Sequence, residues 1–143
     1  AMSSVLRAYG KDFDVDRFLE RSPWAPTSVY RRGDRGRGQR RRPTTHSGFN
    51  LPIGESSFWE FERSIRNTLS FIRRHRAELL RLSRRRDVER VFFDFGFPMP
   101  MSDAEVASQE HYFPPKLLKA AGEVGVGVSF CVYPVSSRPS RAR

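Results

Sequence analysis

Seven arginines crowd into twelve residues of this chain: Arg31, Arg32, Arg35, Arg37, Arg40, Arg41 and Arg42, interleaved with Gly33, Gly36 and Gly38. Guanidinium groups make planar, bidentate contacts with phosphate. A glycine-loosened backbone lets such a segment follow a polyanion and release its counterions. Arg35, Arg37, Arg40, Arg41 and Arg42 are therefore candidate nucleic-acid contacts. No aromatic residue falls between Arg31 and Arg42, so the stretch by itself offers charge without a surface on which bases stack. A long solvated hairpin loop is the plainer account, because charged surface loops are common.

A second set of residues has the chemistry of a pocket without its spacing. Asp94 interrupts the phenylalanine-rich run VFFDFGF, where a buried carboxylate needs partners. Arg76 falls near the middle of a helical apolar stripe and is a candidate partner for Asp94, or else snorkels off the sheet. Glu110 and His111 stand together in a loop, the kind of polar cluster that lines pockets, though no nucleophile sits beside them. Asp94-Phe95-Gly96 spells the metal-binding triplet of protein kinases, but no other kinase signature accompanies it.

Asp12, Asp14 and Asp16 open like a calcium loop. The sixth position is then Arg17 rather than Gly and the twelfth is Pro23 rather than Glu, so helix capping explains the aspartates better. The three histidines, His46, His75 and His111, share no metal-ligand spacing. The single cysteine, Cys131, excludes an internal disulfide and reads as a small, inert strand residue. No GxSxG, HExxH or GxxxxGK[ST] string occurs. The sequence thus assigns no catalytic residue, no metal site and no cofactor.

These side chains need a scaffold, and composition bounds it. At 143 residues, one domain is the natural reading, and hydrophobic residues make up 38% with twelve phenylalanines. The formal net charge is +10, from 26 Lys plus Arg against 16 Asp plus Glu, and only three of the cations are lysines. Such a balance favours polyanions and solubility but says nothing about fold. No apolar run approaches the roughly 18 residues of a membrane span, and no signal segment opens the chain, so a cytoplasmic protein is expected. Ala1 before Met2 looks like an expression remnant.

Along the chain, SVLRAY (4–9) alternates as a strand. A helix capped by Asp12 or Asp14 places Val15, Phe18 and Leu19 on one face. A short strand over 28–31 runs into the arginine stretch, and a strand over 47–54 carries Phe49, Leu51 and Ile53 on one side. Pro52 within it hints at an edge or a bulge. One long helix is expected from about Ser57 to Arg84, with Phe58, Ile65, Ile72 and Leu79 recurring every seven residues. The strand 88–97, a helix opened by Pro114-Pro115 and a last strand over 126–135 follow.

The first six elements match the split βαβ, ferredoxin-like order, with an α-β unit added. The fold expected is α+β: a mixed sheet of about five strands with helices on one face. The domain spans 3–135, with a flexible loop at 31–43 and a disordered basic tail at 136–143.

The strings YGKDFDVDRFLERS, SGFN, HRAELLRL, VFFDFGF and FPPKLLKAAGEVGVGVSFCVYP together resemble a family of small uncharacterised bacterial proteins, a domain of unknown function. The resemblance covers most of 4–134 and implies a compact α+β domain. It carries no established activity and transfers no functional residue, and the basic loop is not a feature it implies.

The leading expectation is a binding module whose partner is another protein, in the manner of toxin-neutralising immunity proteins by fold-level analogy alone. Weak nucleic-acid binding through the arginines is the second reading, and an enzyme with an unrecognised pocket the third. An apolar patch around Phe97, Met99 and Met101 is the feature that would favour a protein partner.

Overall fold

Alternation drives the first strand. Through SVLRAYG, every second side chain is buried, and β1 runs Ser4–Gly10. Asp14 then caps a short helix, α1 (Val15–Glu20), its Oδ1 accepting the backbone N–H of Arg17 at 3.1 Å. Val15 and Phe18 turn inward. The strands β2 (Ser28–Tyr30) and β3 (Ser47–Pro52) follow.

Next come α2 (Phe61–Arg74), α3 (Arg76–Ser83), β4 (Arg90–Pro100), α4 (Pro115–Glu123) and β5 (Gly127–Val135). The computed structural model describes residues 4–35, 42–56, 60–100 and 110–135. The expected tail at 136–143 and residues 36–41 of the arginine stretch lie outside them, as do Ser57, Phe58 and Met101.

The sheet order is β2-β3-β1-β4-β5. β1 pairs antiparallel with both β3 and β4, β2 pairs antiparallel with β3, and β4 pairs parallel with β5 across the α4 crossover. The four-strand β2-β3-β1-β4 portion is the split βαβ arrangement the element order predicts, and β5 extends it by one parallel strand. Pro52 ends β3 past the reach of β2, whose pairing stops at Asn50. The Pro therefore removes no bond from that ladder.

One face of the sheet carries the core. Leu6, Ala8, Phe49, Val91, Phe93, Phe95 and Phe97 point into a cluster that also takes Leu79, Leu82, Leu117 and Ala121 from the helices. Phe18 of α1 stacks on Phe49 of β3 (centroids 6.0 Å, planes 6° apart). Phe61 and Phe71 of α2 meet Phe95 and Phe93 of β4 edge-on.

The long helix differs from the single rod expected. It breaks at His75 (φ −117°, ψ 25°) into α2 and α3, and the N-cap of α2, Glu60, turns its side chain to Arg63 rather than to a capping N–H. A seven-residue repeat drifts about 20° per heptad around a straight helix. Ile65 and Ile72 before the break and Leu79 and Leu82 after it all reach the same core. The imidazole is tied there: the Trp24 indole N–H donates to His75 Nδ1 at 3.2 Å.

Candidate functional site: the helix-free face of the sheet

The residues between the core positions make a second face, and the strand register arranges them in rows. Tyr30, Gly48, Tyr9 and Arg90 lie side by side across β2, β3, β1 and β4. The next row is Ser28, Asn50, Arg7 and Phe92, and the one after it Pro52, Val5, Asp94 and Ser129. Cys131 and Tyr133 continue this face along β5, opposite Gly96 and Pro98.

Gly48 decides how close two of these aromatics come. A Cβ there would collide with the Ala8 carbonyl oxygen and lie 2.7 Å from the Tyr30 hydroxyl. With no side chain on β3 between them, the Tyr30 ring leans over the strand towards Tyr9. Burial, with Tyr9 adding to it, pushes the Tyr30 hydroxyl pKa up.

Tyr9 also meets His46 edge-on at 5.2 Å and Phe92 at 6.3 Å, and the Arg90 guanidinium stands 6.0 Å from its ring centroid. A depression of about 390 Å³ opens here, between Tyr9, Tyr30, His46 and the Pro43–Thr45 segment. His46 Nε2 is 3.3 Å from Glu89 Oε2 and its Nδ1 is 2.7 Å from the Thr45 hydroxyl. An Nε2-protonated ring satisfies both contacts.

Towards the other end of the face, Asp94 is buried, with 6% exposure, and its partner is Arg7, whose Nε–H donates to Oδ2 at 2.8 Å. The Cys131 thiol points at the same oxygen from 3.7 Å. Burial first, then this carboxylate, push the thiol pKa up, which keeps Cys131 in its unreactive form. Asp94 Oδ1 is buried without a hydrogen-bond partner among the described residues.

The four residues read as a possible pocket are not brought together. Arg76 projects from α3 to Glu123 of α4 at 3.8 Å, so Asp94 takes its cation from a neighbouring strand instead. Register explains this: Arg7 and Asp94 are strand neighbours on the face that α3 does not touch. His111 stacks on Phe97 at 3.8 Å on the helix side, where burial pushes its pKa down, and Glu110 is exposed.

Of the arginine stretch, Arg35 and Arg42 are described and exposed, and Arg35 bridges Pro43 at the neck of the loop. Arg37, Arg40 and Arg41 lie outside the described residues. Arg31 and Arg32 are held at the base by Asp16 (2.6 Å) and Asp12 (3.4 Å). Sequence reasoning missed Tyr9, Tyr30 and His46. Tyr9 and Tyr30 stand in predicted strands and His46 just before one, but only the pairing of β1 and β2 through β3 puts the three together.

An α+β domain with a mixed five-stranded sheet, helices packed on one face and an aromatic, cationic opposite face is thereby defined. The chain belongs to the family described as Domain of unknown function (DUF4279), whose profile matches residues 1–135. No curated protein and no solved structure matches it. Among the described residues, no helix is long and apolar enough to cross a membrane. No group of three or more His, Cys, Asp or Glu residues among them is placed to hold a metal ion.

Proposed function

We propose that the protein is a binding module that offers the outer edge of β5 to an extended segment of a partner protein. The observation carrying this reading is the make-up of that edge. β5, GVSFCVYPV, contains no charged residue over nine positions and pairs only with β4 among the described strands.

Phe130, Val132 and Tyr133 on it are 63%, 44% and 41% exposed, and Met99 beside them on β4 is 48% exposed. Edge strands of soluble proteins are normally blunted by lysine, charge, proline or brevity, because their free N–H and C=O groups template pairing; β5 carries one proline, Pro134, next to its last position. An apolar, uncharged edge suits strand addition, in which main-chain bonds give affinity and alternate side chains give selectivity. Phe97, by contrast, is buried in the core. The apolar patch therefore sits on Met99 and β5 rather than on Phe97.

The test places a photo-crosslinking residue at Val132, and separately at exposed Lys119 on α4, in the native host. Nuclease-resistant adducts from position 132 alone, mapping to one contiguous partner segment and lost in a Tyr133→Lys variant, support strand addition. Equal yields from both positions, or adducts that vanish with nuclease, contradict it.

A further inference from the structure

We propose that the opposite corner of the sheet, around Tyr9, Tyr30 and His46, is a binding site for single-stranded nucleic acid, with Arg90, Lys11 and Arg32 taking the phosphates. The site is separate from the β5 edge: Tyr9 and Arg90 pair at the start of β4, whereas Met99 and Tyr133 stand at its far end.

Three observations carry the inference. The first is the aromatic row. Two tyrosines and a histidine from β1, β2 and the approach to β3 surround a depression of about 390 Å³, towards the lower end of the roughly 300–1,000 Å³ found for ligand pockets. Every base has a π-face, so such rings accept bases with little regard to sequence.

The second is a neighbouring depression of about 490 Å³ that shares Pro43, Thr44 and Thr45 with the first and is lined on its far side by Lys11, Arg32 and Gly33. An aromatic compartment thus adjoins a cationic one through a common wall, matching the alternation of base and phosphate along a strand. The third is charge. Arg90 stands over Tyr9, and the exposed Arg35 and Arg42 flank the neck of the loop beside the same wall.

Three carboxylates border the site, and that of Asp34 accepts the backbone N–H of Arg31 at 2.7 Å. Asp12 pairs with Arg32 at 3.4 Å with both side chains well exposed, an arrangement phosphate displaces readily. Glu89 is occupied by His46 and by the backbone N–H of Lys11, 2.6 Å away. A duplex hides its bases inside the stack and meets only the cations; an unpaired strand meets both compartments. Arg35 and Arg42 therefore do not act as bare charge: they stand beside Pro43, in the wall shared with stacking rings that come from other strands.

Fluorescence anisotropy with 5′-labelled (U)12 and a 12-base-pair duplex, in low and moderate salt, tests the proposal. Single strand should bind at least tenfold more tightly than duplex. Tyr9→Ala and Tyr30→Ala should each weaken it by about 5- to 150-fold, the equivalent of 1–3 kcal/mol per stacked base. Tyr30→Phe should bind like the parent.

Because Tyr9 is half-buried and its alanine variant can lose the fold, 5-iodouracil crosslinking of the parent protein provides a second readout, with adducts expected on Tyr9, Tyr30 or His46. Equal affinity for duplex, undiminished binding by a folded Tyr30→Ala variant, crosslinks confined to residues 31–42, or no binding at low salt would each overturn it. Tyr133→Lys should leave oligonucleotide binding intact, so failure here is distinguishable from failure of the β5 reading.

Discussion

Asp94 is the residue whose neighbours matter most for stability. Its carboxylate is out of water, and Arg7 is its only ion-pair partner among the described residues. Removing one member of a buried pair strands the other charge. Arg7→Ala should therefore cost about 2–4 kcal/mol, below the usual range for fully enclosed pairs because Arg7 keeps 30% exposure. Replacing both residues together, as Arg7→Met with Asp94→Leu, should recover most of that loss in urea unfolding.

Two of the three half-buried histidines, His75 and His111, give a pH dependence of definite sign. Burial depresses the pKa of His75, helped by Arg74, and burial alone depresses that of His111. The unfolded chain then binds more protons than the folded one as pH falls through the ordinary histidine value near 6.5. Stability should be full above that value and decline below it, until the folded-state pKa values are passed. Thermal melts from pH 8 to 5 check this, and a His75→Gln, His111→Gln double variant should show a flatter profile.

At the scale of elements, the helix pair α2–α3 carries the clearest sequence signal and the clearest departure from it. Ile65 and Ile72 are buried, as the heptad spacing predicts, while Leu69 lies at the margin of the core. Truncating Ile65 or Ile72 to Ala should cost roughly 2–5 kcal/mol in denaturant unfolding. Leu69→Ala should cost less than either. Changes below half a kcal/mol at both isoleucines would show that another face packs on the sheet.

The break at His75 left no mark in the sequence, since no Pro or Gly announces it and the residue that holds the imidazole there, Trp24, is 51 positions away. The strands were legible because alternation is local: SVLRAY alternates as read, with Leu6 and Ala8 buried, and Phe49, Leu51 and Ile53 share the inner side, while the run 88–97 supplies the buried Phe93, Phe95 and Phe97. What alternation cannot give is adjacency across strands. That is why Asp94 was sought near Arg76 rather than Arg7, and why the arginine stretch was read without the tyrosines it abuts.

For the whole molecule, the formal charge of +10 sets the long-range behaviour. Electrostatic binding to a single strand should show a log–log salt slope near −0.7 per phosphate neutralised. Substituting Arg35 and Arg42 with Ser should make that slope shallower by about one unit or more if both engage. Tyr30→Phe should leave it unchanged. An unaltered slope in the double serine variant would place the electrostatic contacts elsewhere on the surface.

The placement of β1 has a consequence for how the chain reaches this state. The first strand of the domain to leave the ribosome is the middle strand of the sheet, bonded on one side to β3 and on the other to β4. Arg7 waits for an acid 87 positions downstream, and Ser4 for a hydroxyl 64 positions downstream on α2. Until β4 emerges, β1 can pair along one edge only, and the phenylalanines of β4 are missing from the core. Synthesis from the N-terminus therefore cannot build this sheet strand by strand outward. Its central ladder closes late, only once β4 has emerged, and the exposed half-sheet before that moment is where a chaperone, or a neighbouring nascent chain, has its opportunity.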